Sequence, residues 1–415
     1  MRVLGITETC DLGSLYQRLL AEGHEVQVTI SEPLAAGTMA GLVPRAHDPE
    51  AGLRWITEAG SEGIVLFEAA GFGAWQDQLR TRGFSVIGGS AFGDRLEDDR
   101  AYAQRLLAGL GLPVAAVTEH ADVGSALADI AARPRRCVFK RAASAGETFV
   151  GTFDDGSDVA AMLAASSSAP DTPFILMDHV DGIEVGVGAY FDGQRFLRPA
   201  CLDWEHKRFF AGDMGELTGE MGTVASFERS DRLFEATLAL IEPQLRAAGH
   251  IGYVNLNTIV NEGGVWPLEF TCRFGYPGFA VLEPLQRQAW GELLAAIAAG
   301  EGAPLATAPG FSVGLVLSTP PFPWSRHEVD SPIGLPVSAE GVEADHLHWG
   351  EVGLAPSGPA AGRLVTSGLY GWTAVVTGTG PSVAEARTAA YARARRVRAP
   401  NLRYRLDIGD LLATG

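Results

Sequence analysis

Four residue types at strand spacing stand out between His250 and Pro277: Asn257, Glu269, Thr271 and Arg273. Side chains alternate along a strand with a period of two, so Glu269 and Thr271 share one side, as do Asn255 and Asn257 on the preceding strand. A carboxylate two residues from a hydroxyl, facing an amide on the neighbouring strand, supplies oxygen ligands suited to Mg²⁺. Such sites are usually completed by substrate phosphates and water. Arg273 follows at once and could neutralise an anion held there. A second group is His206-Lys207-Arg208, three adjacent side chains able to carry positive charge in a strongly acidic chain. Lys140 ends a short apolar run and offers a point charge toward phosphate. Glu8 and Asp11 place acids in a loop that opens a helix. No Ser/His/Asp or Cys/His arrangement is evident, so no covalent nucleophile is indicated.

These residues need elements to hold them. Tyr253–Val260 reads as a strand, Asn261-Glu262-Gly263-Gly264 as a turn tolerant of positive φ, and Val265–Thr271 as the returning strand. The bland alternative is a half-solvated hairpin with one polar face. Residues 1–92 alternate strands and helices: Val3–Ile6, Gly13–Glu22, Glu25–Ile30, Gly63–Phe67 and Phe84–Ile87. That order implies a parallel sheet with ligands at the carboxyl ends of its strands. The first such loop, residues 7–14, could hold an anion at its helix N-terminus. With one Gly and two acids it is a poor phosphate loop, and the plain alternative is that Glu8 and Asp11 cap the helix. Asp94–Gly109 reads as one helix. Strands Cys137–Lys140 and Phe149–Phe153 flank a small-residue loop containing Ser144 and Gly146, a flap whose backbone can approach phosphates. Ser166–Pro170 reads as a loop. Beyond Pro304 come short strands (Phe311–Leu317, Asp345–Trp349, Arg363–Thr366, Thr373–Gly378) and a helix, Val383–Arg398, with a solvated basic face.

Composition narrows the class. The 415 residues suffice for two to four domains, and 47% hydrophobic with 20% charged residues is ordinary for a globular protein. A formal charge of −18 disfavours nucleic-acid and anionic-membrane partners. Four scattered cysteines without a CxxC pair suggest neither a zinc site nor a disulfide framework. No apolar run approaches the roughly 18 residues of a membrane span, and Met1-Arg2 leads directly into a strand, so a cytoplasmic protein is expected.

The segment Leu268-Glu269-Phe270-Thr271-Cys272-Arg273-Phe274-Gly275-Tyr276-Pro277-Gly278 resembles the metal hairpin of the ATP-grasp ligases. It is most similar to the Leu-Glu-Phe-Asn-x-Arg-Phe-Gly-Asp-Pro-Glu of the glycinamide ribonucleotide synthetase family. The Glu, Arg and Phe-Gly match, whereas Thr271 replaces the metal-binding Asn, and Tyr276 and Gly278 replace two acids. His206, Lys207, Arg208, Thr218, Gly219, Met221 and Gly222 match two further family segments, and Glu205, Leu217 and Glu220 depart from them. The ending Tyr404-Arg405-Leu406-Asp407-Ile408-Gly409 also resembles the family's. The loop at 7–14 lacks the family's Gly-Gly-Arg-Glu-His-Ala, where the phosphoribosylamine is held.

The resemblance implies an ATP-grasp fold of combined α/β and α+β class. Residues 1–92 would form an α/β acceptor-side domain, 93–304 the ATP-grasp domain with a lid at about 118–181, and 305–415 a C-terminal α+β domain. It further implies that Lys140, Ser144, Gly146, Lys207 and Arg208 approach ATP phosphates. Backbone at Met177, Asp178, His179 and Val180 would meet adenine, with His179 itself reading as packing, and Glu184 would take the ribose hydroxyls. Glu269, Asn257 and Thr271 would hold Mg²⁺, with Mn²⁺ as an alternative ion, while Arg273, Lys207 and His206 act at the reacting groups. Glu8, Asp11, Arg273 and Tyr276 would face the acceptor. The implied reaction joins a small-molecule carboxylate to an amine through an acyl phosphate, in a monomer or homodimer. The altered acceptor motifs point to non-phosphorylated substrates of specialised metabolism. The alternatives are a phosphoribosylamine–glycine ligase of purine synthesis and a catalytically idle ATP-binding relative.

Overall fold

The computed structural model describes residues 1–141, 148–165 and 174–413. At its start, β1 (Arg2–Thr7) is buried along all but its first residue, as an inner parallel strand must be. Helix α1 (Gly13–Ala21) and β2 (Glu25–Ile30) follow. With β3 (Gly63–Phe67) and β4 (Ser85–Ile87) they form a parallel sheet of order β2-β1-β3-β4. Ile6 stands opposite Phe67 in the register, so the loop after β1 and the residue after β3 leave the sheet at the same edge. Glu8, Asp11 and Glu68 follow the strands at this edge.

The expected single helix over 94–109 is two, Ala91–Asp98 and Arg100–Gly109. Asp99 interrupts them by capping the second, its carboxylate accepting the Tyr102 amide at 2.9 Å. An antiparallel sheet of order β5-β8-β6-β7 follows, from β5 (Val117–His120), β6 (Cys137–Arg141), β7 (Thr148–Val150) and β8 (Phe174–Asp178). β7 stops three residues short of the expected Phe153, because the Thr152 and Phe153 amides donate to Asp158 instead of to a neighbouring strand. Helices Val123–Ala132 and Ser157–Ala165 cover one face, burying Ala126, Ile130, Phe139, Val159 and Leu163 with the strands.

Next come β9 (Ile183–Phe191), β10 (Cys201–Glu205), the ribbon of β11 (Arg208–Phe210) and β12 (Met214–Leu217), and β13 (Gly222–Ser226). The hairpin read from the sequence is present as β14 (Gly252–Asn261) and β15 (Gly264–Thr271). Asn261 sets its turn, accepting the Gly263 amide at 2.8 Å. The expected alternation of burial fails on β14, where residues 252–258 are all buried. The C-terminal part adds β16 (Phe311–Ser318), β17 (Ser338–Ala339), β18 (Leu347–Trp349), β19 (Val352–Leu354), β20 (Leu364–Thr366), β21 (Trp372–Gly380) and β22 (Val397–Arg398). Strands run β9-β10-β13-β16-β21-β18 in the large sheet. The last long helix ends at Ala394, not Arg398, and its basic end is partly paired, Arg393 to Glu343 at 2.8 Å.

By contact the chain parts into two compact units rather than three consecutive domains. One comprises Met1–Gly93, Gly186–Asn255 and Thr271–Gly415; the other comprises Asp94–Val185 and Leu256–Phe270. The middle stretch expected to stand with the lid thus divides, because β10 and β13 pair into the sheet that β16 and β21 continue.

Candidate active site

The smaller unit collects the residues expected on the nucleotide side. Lys140 lies on β6 opposite Thr148 and Ile175 and is 9% exposed. Ser144 and Gly146 lie outside the described residues. Glu184 is exposed at the start of β9. At the expected adenine stretch, the Asp178 amide donates to the Ala116 carbonyl at 2.9 Å and the His179 amide to that of Arg136 at 3.0 Å. Those two amides are therefore occupied, and adenine could be met only by other groups of residues 177–180. Asp178 is drawn to Arg135, and the His179 ring lies 3.4 Å from Asp181. Burial, then Arg136, lowers the His179 pKa, which matches a packing role.

Asn257 on β14 is 5% exposed, and Glu269 on β15 is half-buried. Glu269 has a partner that the sequence did not reveal: Arg100 Nη2, 3.2 Å from Oε2. Arg100 opens the second of the two helices, and Gln104, one turn on, donates to the Pro267 and Leu268 carbonyls at 3.1 Å each. Residues four apart on a helix share a face. One helical face thus fastens β15 by its backbone and meets its carboxylate. Among the described residues no group of three or more His, Cys, Asp or Glu could hold a metal. The donors at hand are one carboxylate and neutral oxygens, with Thr271 ending the same strand, which suits a hard cation completed by substrate. Asn255, two residues before Asn257, serves elsewhere, donating to Asp203 at 2.6 Å.

The larger unit holds the remaining expected residues. Lys207 Nζ lies 3.2 Å from Glu205, and the Arg208 side chain donates to the Gly215 carbonyl at 2.9 Å. His206 accepts the Gly409 amide on Nε2 at 3.3 Å, and burial followed by Arg405 lowers its pKa. Its geometry is that of an anchor for the C-terminal turn, not of an acid or base at a reacting centre. The turn grips back: Arg405, 3% exposed, reaches Asp407 at 2.5 Å, Asp213 at 2.7 Å and the Arg208 carbonyl at 3.0 Å. Asp407 in turn accepts the Gly212 amide at 2.8 Å. The terminal motif therefore positions the segment that carries Lys207 and Arg208.

At the acceptor edge, Cys10 takes a left-handed φ of 69°, a conformation that costs a residue with a Cβ and tends to mark functional loops. Neither Glu8 nor Asp11 caps α1, whose N-cap is Leu12 with no side-chain bond. Asp11 instead accepts the Thr9 hydroxyl at 2.6 Å. Burial pushes the Asp11 carboxyl up, Glu8 adds to the rise, and Thr9 and Arg273 oppose it. Glu68, the residue directly after β3, is 4% exposed and accepts the Tyr16 hydroxyl at 2.6 Å. Burial, then Asp11, raises its pKa to about 8. The ring of Tyr276 stacks on Trp372 with centroids 4.8 Å apart and 18° between planes, and Tyr370 lies 4.9 Å beyond. Glu351 holds that segment by accepting the amides of Leu369, Tyr370, Gly371 and Trp372. Glu68, Glu351, Tyr370 and Trp372 were missed in the sequence reading, for each is remote in the chain from the loop it serves. The four cysteines are buried and none forms a disulfide.

A family model described as "Phosphoribosylglycinamide synthetase, ATP-grasp (A) domain" matches residues 98–279. The phosphoribosylamine–glycine ligase of Rhizobium meliloti is 30% identical, the match covering 80% of this chain and 79% of that protein. That of Leifsonia xyli is 28% identical over 98% of this chain and 99% of its own. Among solved structures, the phosphoribosylamine–glycine ligase of Thermotoga maritima aligns with a TM-score of 0.73 at 21% identity, covering 98% of this chain and all of that one. The ATP-grasp fold expected from the hairpin is thereby established.

Proposed function

The chain belongs to the phosphoribosylamine–glycine ligase family of ATP-grasp enzymes and is a carbon–nitrogen ligase; from that premise we propose that it condenses a carboxylate with an amine through an acyl phosphate. The observation that carries this reading is the gathering of Lys140, Glu184, Asn257 and Glu269 in one compact unit. In the first step the γ-phosphoryl group of ATP passes to a carboxylate oxygen and ADP leaves. In the second, a neutral amine attacks the acyl carbon, inorganic phosphate departs with the C–O bonding pair, and nitrogen gives up a proton.

Each role rests on charge and position. Lys140 steadies the triphosphate, Glu184 accepts two hydrogen bonds from the ribose diol, and Lys207 and Arg273 neutralise the transferring and leaving phosphate. Glu269, Asn257 and Thr271 would hold Mg²⁺, which when bound offsets phosphate charge. Arg100 keeps the Glu269 carboxylate oriented.

For the substrates, the relatives' names support glycine and phosphoribosylamine better than they support a role in specialised metabolism. One specific observation favours a non-phosphorylated amine: the loop at 7–14 carries Glu8 and Asp11 and lacks the family's Gly-Gly-Arg-Glu-His-Ala. Carboxylate-dependent ADP release, measured with glycine plus phosphoribosylamine and with hydroxylamine as an acyl-phosphate trap, tests the ligase reading. It fails if no carboxylate yields ADP above the ATP-only rate.

A further inference from the structure

Ser338 stands between two arginines. It pairs with Arg398 where β17 meets β22. On its other side Pro336 pairs antiparallel with Val365, and the Val337 amide donates to the Leu364 carbonyl at 3.0 Å. The next step of that register sets Arg363 beside Ser338. Residues directly opposite on neighbouring strands project to the same side of a sheet, so Arg398, Ser338 and Arg363 share a side. Neighbouring strands lie roughly 4.8 Å apart, which separates the two arginine backbones by about 10 Å, close enough for both long side chains to meet one bound group.

All three residues line a cavity of about 880 Å³. Every residue of that lining belongs to the larger compact unit. The size is that of sites for small organic molecules. Its apolar lining includes Val337, Leu347, Trp349 and Leu364. Leu347 and Trp349 are two apart on β18 and so present one strand face, while His348 between them is buried. The guanidinium groups of Arg363 and Arg398 make no ion pair or hydrogen bond among the described residues. Arginines close by in the chain are engaged: Arg393 meets Glu343 at 2.8 Å, and Arg396 donates to the Gly341 carbonyl at 2.6 Å. The cavity thus joins two uncommitted cations to an apolar wall, in a chain whose formal charge is −18. Glu340 is the sole acid on the lining, so the rim is net positive.

The complementary ligand follows from these groups. A guanidinium presents a planar fork of donors that fits the oxygens of a carboxylate or a phosphate. The Trp349 indole and the Leu347 side chain offer a surface to a flat apolar body. Glu340 would repel further negative charge, which favours one anionic group over several. We propose that this cavity is a second binding site, for a small organic anion whose single carboxylate or phosphate lies between Arg363 and Arg398 and whose flat body rests on Trp349. The site shares no residue with those assigned above to ATP, metal or acceptor.

The test measures binding to the intact protein by calorimetry at pH 7, with excess ADP and Mg²⁺ present to keep aromatic anions from a nucleotide site. The probes are 2-naphthoate and 2-naphthyl phosphate, compared with 2-naphthalenemethanol and inorganic phosphate. Both naphthyl anions should bind at least about tenfold more tightly than either comparison compound, the worth of charged hydrogen bonds discounted for solvent. The stronger of the two identifies the anionic group as carboxylate or phosphate. Arg363→Gln combined with Arg398→Gln should erase the preference over the alcohol, whereas Lys at both positions should keep part of it. Both arginines are exposed, so the melting temperature of either double variant should stay within about 2 °C of the parent's, which guards against misfolding. An alcohol that binds as tightly as the anions, or an anion preference that survives in the Gln variant, overturns the proposal. So does inorganic phosphate binding as tightly as the naphthyl anions, or no naphthyl anion binding at all.

Discussion

Lys140, Glu184, Asn257 and Glu269, proposed for nucleotide and metal, lie in one compact unit, and Glu8, Asp11, Arg273 and Tyr276, proposed for the acceptor, in the other. In the smaller unit the pairing is local: Glu269 meets Arg100 at 3.2 Å, and Lys140 lies on β6 opposite Thr148 and Ile175. Around Tyr276 in the larger unit, Glu351 holds the segment that carries Trp372, and burial, then Asp11, Glu351 and Glu220, raises the phenol's pKa. Where the family's residues are kept, nearby segments support them. Where Asp and Glu after the Phe-Gly give way to Tyr276 and Gly278, the Tyr276 ring packs on Trp372, far along the chain.

The contrast can be broken most forcefully at Glu269. Glu269→Gln should cut turnover by about 10²–10³-fold, the scale for losing a preorganised electrostatic group, with melting temperature little changed. Near-normal turnover at saturating Mg²⁺ would remove the carboxylate from the phosphoryl-transfer machinery. Lys140→Ala comes next. A lost charge-assisted hydrogen bond should raise the KM for ATP by about 10–100-fold, while the KM of the amine stays within about twofold of the parent's if the two sides are independent. A parallel rise in both constants would show the sides to be coupled. Asn257→Ala should cost less, about 3–10-fold in turnover, because a neutral amide contributes less than a charge; a loss matching that of Glu269→Gln would reverse their ranking.

Acidity sharpens the same contrast, with the smallest expected effect. Glu68 is raised from 4.5 to about 8 by burial and then by Asp11, and Glu351 from 4.5 to about 7 by burial. The folded state then binds these protons more tightly than the unfolded chain. Their contribution to stability is full below about pH 4.5 and is lost as pH rises through 7 to 8. Melting temperature should fall by about 1–3 °C between pH 6 and 9, and Glu68→Gln should flatten that slope. A slope unchanged in the variant would show that Glu68 does not titrate in this range.

Legibility followed the same division. The hairpin was readable because β-branched residues and an Asn-Glu-Gly-Gly turn lie within about twenty residues, and its strands end within a residue or two of the expected places. The parallel sheet of residues 1–87 was readable from strands alternating with helices. Arg100 was hidden because helical periodicity runs through Asp99, where a cap breaks the chain into two helices. Glu68 follows an apolar strand and looked like any polar residue ending one; only the register of Ile6 with Phe67 brings it to Asp11. Glu220 was visible as a departure from a motif, but its isolation from donors depends on packing that periodicity does not report.

The central claim is that an ATP-dependent ligase of this family carries an acceptor loop whose acids, Glu8 and Asp11, favour an amine over a phosphate. It is tested most directly by one competition, in which the enzyme receives ATP, Mg²⁺, a panel of free amino acids including glycine, and equal concentrations of phosphoribosylamine and the amine panel. Mass spectrometry then gives the ratio of products. The account predicts that amides of a non-phosphorylated amine exceed glycinamide ribonucleotide by at least about tenfold, the discrimination expected from one charge partner. Glycinamide ribonucleotide as the dominant product would contradict it and leave the relatives' activity as this protein's own.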